Sequence, residues 1–466
     1  MPPQTPRDPT TGVVSGLAGP AAWGRVVTPI VHDPQRRCTR RNRELDVYIA
    51  IAVVASVVFT VYQFCNVGGG LYRGTPVHAV LASLDAAVPF FFVLIGFEVF
   101  RPIVAAYLEQ APLTAPPSFP ARRAAAVVPA YYTVITVVWF CRQQRLPGDW
   151  RDLLEHLSFT QVFDGKRIFY TDGPAWAVSV TVFFLVLLAI VDVGLSRFPP
   201  ASTRTRRLMV LGLPVATLTA TSVGWKAWSV AGAHRSTGGS PTTWYGPLAN
   251  LDNFALGMTV ALTLASLERM PVRASYRVGL RVGALVAVAA AVAIRTDGRW
   301  FAAYFTTMCS LGFAGLLTAA TLTANNAITA DTAGRSESWR SGSYQSWVSG
   351  CVAVAYGTYL WREPVLLALN GWDGLVVQKQ DAFIQDTLVV LVVSLLIGAM
   401  SHLAIEQPAL QLYQLATTRR PHEPLASTVG GLLPDRHGPL GERRALDSGS
   451  ADVRSSPTRP SENRRG

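Results

Sequence analysis

The side chains that could do chemistry are few, and several sit inside apolar runs. Glu98 and Arg101 lie three positions apart in the run 84–106, and Arg362 and Glu363 are adjacent in the run 347–369. Ionisable groups inside membrane-spanning stretches are costly, so by default they mark ligand sites or ion paths. The spacing of Glu98 and Arg101 allows a pair on one helical face; both could equally snorkel to an interface. Arg362 has Glu98, Asp85 or Glu363 as candidate carboxylate partners, or it could hold an anionic ligand. His78 precedes Asp85 by seven positions. Such a pair could act as a base, while the plain reading is a loop histidine. His156, in a charged amphipathic piece, has the same two readings. Asp46 opens the first run, where a helix cap would stand. Arg122 and Arg123 precede the third run, where they could meet phosphates or simply keep a loop cytoplasmic. Trp176, at the start of the fourth run, suits a packing or interface anchor.

Familiar chemical motifs are absent. There is no GxGxxG fingerprint, Walker loop, GxSxG elbow or HExxH zinc motif. The five cysteines are scattered without CxxC or metal spacing, and read as small buried hydrophobes. No metal and no bound cofactor is expected.

The elements that must position these residues are membrane helices. Half of the 466 residues are hydrophobic and 15% are charged, against roughly 25% charged in soluble chains. The net charge of +12, with 38 Arg against 3 Lys, is the bias of a GC-rich bacterial genome. In so apolar a chain it reads as Arg-bearing cytoplasmic loops rather than a nucleic-acid surface. A span needs about 20 apolar residues. Ten candidates follow, near 47–65, 84–106, 124–141, 174–194, 208–228, 250–267, 278–295, 300–323, 347–369 and 385–406. The expected fold is all-α, a polytopic bundle of about ten transmembrane helices in the inner (plasma) membrane. Arginines at 122–123, 197–207, 269–277 and 335–340 put both termini in the cytoplasm. Residues 1–45 read as a disordered basic lead without a signal-peptide pattern, 46–412 as the transmembrane domain and 413–466 as a disordered polar tail.

Seven strings resemble acyltransferase family 3, integral membrane proteins that acylate envelope glycans and related acceptors. They are VPFFFVLIGFEVFRP (88–102), ARRAAAVVPAYY (121–132), DLLEHLSFTQVF (152–163), GPAWAVSVTVFF (173–184), LDNFALGM (251–258), AYGTYLWREPVLL (355–367) and HLAIEQPAL (402–410), in family order over about four-fifths of the chain. The resemblance implies transfer of an acyl group from acyl-CoA to a hydroxyl of an envelope glycan or glycolipid. It also implies an Arg and a His on the first span, eleven positions apart on one face, roughly 16 Å along the helix.

This sequence departs from that pattern where the chemistry would lie. The family's LDGLRG corresponds to LDVYIA, so the Arg position falls on Ile49 and the His position on Thr60. The family's Ser in span two is Ile95, a second Arg is Ala126, the Glu after PAW is Thr181 and the His of YLWHEP is Arg362. Framework strings remain while polar chemistry is replaced. The expectation is therefore an acyltransferase-3-like protein that is weakly active or non-catalytic. The alternatives are a scaffold partner of an envelope-biosynthesis enzyme, or a carrier of lipid or acyl donor. If the chain is active it needs an unusual base, such as His78 with Asp85.

Overall fold

In a computed structural model the described residues are 43–66, 71–109, 118–142, 148–197, 202–231, 240–267, 272–296, 300–331, 342–371 and 382–418. Residues 1–42 of the expected lead, 419–466 of the expected tail, and Arg269, Arg335 and Arg340 lie outside them. The described part is helical, in the order α1 (Arg43–Cys65), α2 (Pro76–Ala82), α3 (Ala87–Glu109), α4 (Ser118–Arg142), α5 (Trp150–Leu157), α6 (Ala175–Arg197), α7 (Arg204–Ala231), α8 (Pro241–Tyr245), α9 (Pro247–Leu267), α10 (Ala274–Thr296), α11 (Phe305–Asp331), α12 (Gly342–Gly371), α13 (Phe383–Ser401) and α14 (Gln407–Thr418). Among the described residues nine helical segments are long and apolar enough to cross a membrane. The ninth expected span, 347–369, falls on α12, whose early side chains are outside the described set. The chain is thus a multi-pass helical membrane protein. It divides into units 1–415 and 416–466, and α14 carries helix past the boundary expected at 412.

The helices pack as a bundle with α3 at its centre. α3 lies along α9 and also touches α1, α4, α6, α7 and α11; α10 pairs with α11, and α12 with α13 and α1. In a bilayer lipid tails are as apolar as leucine, so close van der Waals packing rather than the hydrophobic effect holds helices together. Glycines permit it here. A Cβ on Gly257 would collide with the Val93 carbonyl, and one on Gly96 with the Phe254 carbonyl. The α3 and α9 backbones therefore touch. A ring column continues the seam: Phe92 stacks on Phe254 at 4.5 Å, and Phe254 on Phe184 of α6 at 4.1 Å.

Between α4 and α6, residues 148–174 fold back as a cap rather than a span. Asp149 accepts the Asp152 N–H at 3.2 Å to start α5, the arrangement of an N-cap. The ring of Phe159, whose φ is +61°, stacks on Tyr131 and Tyr132 at 4.9 and 5.6 Å. Tyr131 and Tyr132 donate to the carbonyls of His156 and Leu157 at 2.9 and 3.0 Å. The cap is pinned to α4 by these contacts.

Gly257→Ala is expected to lower the thermal midpoint of the detergent-solubilised protein by several degrees, since overpacking a filled contact costs about 1–3 kcal/mol. Gly194→Ala, whose Cβ would meet nothing within 4 Å, is the control and is expected to leave the midpoint unchanged.

Candidate functional site

Two cavities flank α3. The larger, about 730 Å³, lies toward the Cys65 end of α1 and is bordered there by Ser56, Thr60 and Gln63. The smaller, about 280 Å³, lies toward the Arg43 end and is bordered there by Ile49. Val88 borders both; Tyr359 borders only the smaller and Arg362 only the larger. One α12 turn, with Val88, therefore forms part of the wall between them.

Arg362 is held from three sides. Its Nε donates to Thr60 Oγ1 at 2.7 Å, its Nη1 donates to the Tyr359 carbonyl at 2.9 Å, and its guanidinium lies 4.0 Å from the Tyr359 ring centroid. Thr60 passes its own proton to the Ser56 carbonyl at 3.0 Å. Tyr359 Oη donates to the Pro174 carbonyl at 3.2 Å, tying α12 to the start of α6. The expected ion pairs of Arg362 with Glu98 or Asp85 do not form. Glu363 also lines the larger cavity, its carboxylate seated against Gly173, where a Cβ would strike it.

Asp85 is taken by Arg295 of α10, whose Nη1 donates to it at 2.5 Å. His78 instead shares a 2.5 Å hydrogen bond with Tyr62 and borders neither cavity. The expected His78–Asp85 base is not assembled, because Arg295, 210 positions downstream, supplies the stronger partner. Glu98 pairs with Arg123 of α4 at 3.6 Å, not with Arg101, whose guanidinium sits 5.9 Å from the Phe97 ring centroid. A partner on a neighbouring helix has displaced the one on the same helix. Glu98 and Arg123 both border the smaller cavity; Arg122 is exposed on α4. Asp46 is buried within the first turn of α1 rather than at its cap, a position the helix dipole favours for an acid. Trp176 borders the larger cavity and meets Tyr245 edge-on at 5.0 Å.

The positions where the resemblance would expect polar chemistry converge. Ile49, Ile95, Ala126 and Thr181 all line the smaller cavity, and Thr60 and Arg362 the larger. None offers a proton acceptor suited to a hydroxyl substrate. Thr181 gives its proton to the Ala177 carbonyl at 2.8 Å, and an arginine stays protonated in proteins.

Two features escaped the sequence reading. Lys226, in the last third of α7, is buried at the edge of the larger cavity. It donates to Asp252 at 2.7 Å and to Thr307 at 2.7 Å, while Ser222 bonds the other Asp252 oxygen at 2.9 Å. The available signal was a lysine, one of three in the chain, inside an apolar run. Through its bonds to Lys226 and Ser222, Asp252 ties α9 to α7. The second feature is His156, expected in an exposed loop and found fully buried, with Nδ1 3.3 Å from Asp152 Oδ1. Around it Arg167 binds Asp149, Asp164 and Glu155 at 3.3, 3.1 and 3.4 Å. The Asp152 backbone N–H, more than Arg167, holds the Asp149 carboxyl below its usual range.

Asp172, just before α6, is buried with neither carboxyl oxygen hydrogen-bonded among the described residues. Burial pushes its carboxyl well above the usual range, and the Glu363 charge adds to this, against the pull of Arg362 and Arg142. No protein-family model, curated protein or solved structure matches the chain.

Two outcomes follow. Lys226→Met strands the Asp252 charge and is expected to cost about 3–5 kcal/mol; Lys226→Met with Asp252→Asn should recover much of that, read as detergent melting midpoints. For Asp172 the folded state holds its proton to higher pH than the unfolded chain. Its effect on stability is absent below about pH 4 and grows unfavourable as pH rises toward the folded pKa. Asp172→Asn is therefore expected to melt higher than wild type at pH 8 and equally at pH 4.

Proposed function

We propose that this chain is an acyltransferase-3-like protein of the plasma membrane that binds the molecules such enzymes join without running their Arg/His acyl transfer. The larger cavity takes a hydroxyl-bearing envelope glycan or glycolipid. The smaller faces the side from which acyl-CoA would enter, given cytoplasmic termini and the Arg-rich loops. One observation carries the reading: the positions where the resemblance expects chemistry gather on two cavities that are retained, while their side chains can no longer accept a hydroxyl proton. General-base catalysis needs a group within hydrogen-bond reach of that proton. His78 is engaged elsewhere, and fold alone does not confer the activity. Other acceptors do border the cavities, Glu363 the larger and the His402–Glu406 pair, 3.0 Å apart, the smaller; none of them stands at the replaced positions, and the role that fits is binding, best suited to a partner of an envelope-biosynthesis enzyme. A carrier role draws less support, because the wall of Val88, Tyr359 and Arg362 interrupts the path between the cavities.

The test is thiol release from acetyl-, succinyl- and longer acyl-CoA by the full chain in nanodiscs, with a hydroxyl-rich glycan acceptor. Release is expected to match empty nanodiscs. Robust acceptor-dependent release by wild type would overturn the non-catalytic reading.

A further inference from the structure

Three cations border the larger cavity, each from a different helix: Lys226, Arg295 and Arg362. Two are already neutralised. Lys226 holds Asp252 at 2.7 Å and Arg295 holds Asp85 at 2.5 Å. Arg362 has no ion-pair partner among the described residues. Its bonds go to a hydroxyl and a carbonyl through Nε and Nη1, leaving Nη2 without a hydrogen-bond partner there. Glu363 and Asp172 stand close enough to interact with its charge, but neither forms an ion pair with it. Glu363 is turned onto Gly173, and the burial of Asp172 favours its uncharged form. A buried guanidinium with an uncommitted edge is a fork for a carboxylate or phosphate, which accept two parallel N–H bonds.

Another part of the lining is of a different kind. Phe169, Tyr245 and Trp176 line the cavity as a chain of edge-to-face rings, each neighbour 5.0 Å away. Rings with an apolar face and a polar tip suit ligands that are wet on one side and C–H-rich on the other, as sugar rings are. Glu363 offers a carboxylate to hydroxyl donors on the same lining.

We propose that the larger cavity binds a saccharide carrying an oxyanion, a carboxylate or a phosphate, with Arg362 as its anchor and Thr60 holding the guanidinium in place. This rests on the reading that this cavity takes a glycan, and adds the charge that the glycan must bear.

The experiment titrates the full chain in nanodiscs with three soluble probes: a disaccharide ending in glucuronate, its glucose-ended counterpart, and glucose 1-phosphate. At least one anionic probe is expected to bind about tenfold or more tighter than the neutral one, the scale of one charged hydrogen bond. Arg362→Gln is expected to erase that preference, so that the three probes bind alike. A preference for the phosphate supports a phosphate-linked glycolipid as the source, and a preference for glucuronate supports a uronate-bearing glycan. Equal binding of neutral and anionic probes by wild type, or a preference that survives in Arg362→Gln, overturns the inference and leaves the glycan reading standing. Binding of none of the three overturns both. If Arg362→Gln fails to fold, Thr60→Val serves: weakening confined to anionic probes supports the anchor, and no change or uniform weakening overturns it.

Discussion

The backbone contact between α3 and α9 is the constraint on which the rest depends. Gly96 and Gly257 leave no room for a Cβ at the crossing, so the two helices meet at their main chains. The Phe92–Phe254–Phe184 column then fixes α6 against the same seam. With α3 locked in the middle, space remains on either side of it, and Val88 sits where the two cavities come closest to sharing a surface. Lipid offers no hydrophobic gain for helix association. The cavities therefore persist because the glycine seam and the ring column carry the packing that a solid interior would otherwise supply.

Around α3 and the larger cavity charge follows a rule: partners come from different elements, unlike the Asp152–His156 contact within α5. Lys226 of α7 finds Asp252 of α9, Arg295 of α10 finds Asp85 before α3, and Glu98 of α3 finds Arg123 of α4. Each pair ties two elements together, and each removes a charge from the interior's account. Arg362 breaks the rule by satisfying itself with Thr60 and the Tyr359 carbonyl. An arginine can do this where a lysine could not, because its planar donors are spread over three nitrogens and its face stacks on an aromatic ring.

The helical layout was legible because spans are set by length and apolarity alone. The resemblance read from the sequence singled out Ile49, Thr60 and Thr181, and these three border the two cavities. Partner choice was not legible. Spacing along one helix suggested Glu98 with Arg101, and sequence nearness suggested His78 with Asp85. The actual partners, Arg123 and Arg295, lie on other helices, and no local periodicity encodes which helices touch. His156 was misplaced for a related reason. α5 carries Asp152 and His156 on the face that packs inward, and the segment's charge gave no sign that this polar face would be the buried one. Lys226 was passed over because its α7 neighbours read as one more span, although a cation at that depth needs a carboxylate.

The wall between the cavities also has an electrical meaning. Were water to fill two cavities reaching toward opposite ends of α1, it would carry the bulk potential of each side inward, and the voltage drop would concentrate across whatever low-dielectric material remains. Moving one elementary charge through 100 mV is worth about 2.3 kcal/mol. A fixed positive charge at Arg362, seated on the Tyr359 ring at 4.0 Å, would raise the barrier to protons and metal cations across the thinned septum. A bundle hollowed on both sides can in this way remain tight to ions.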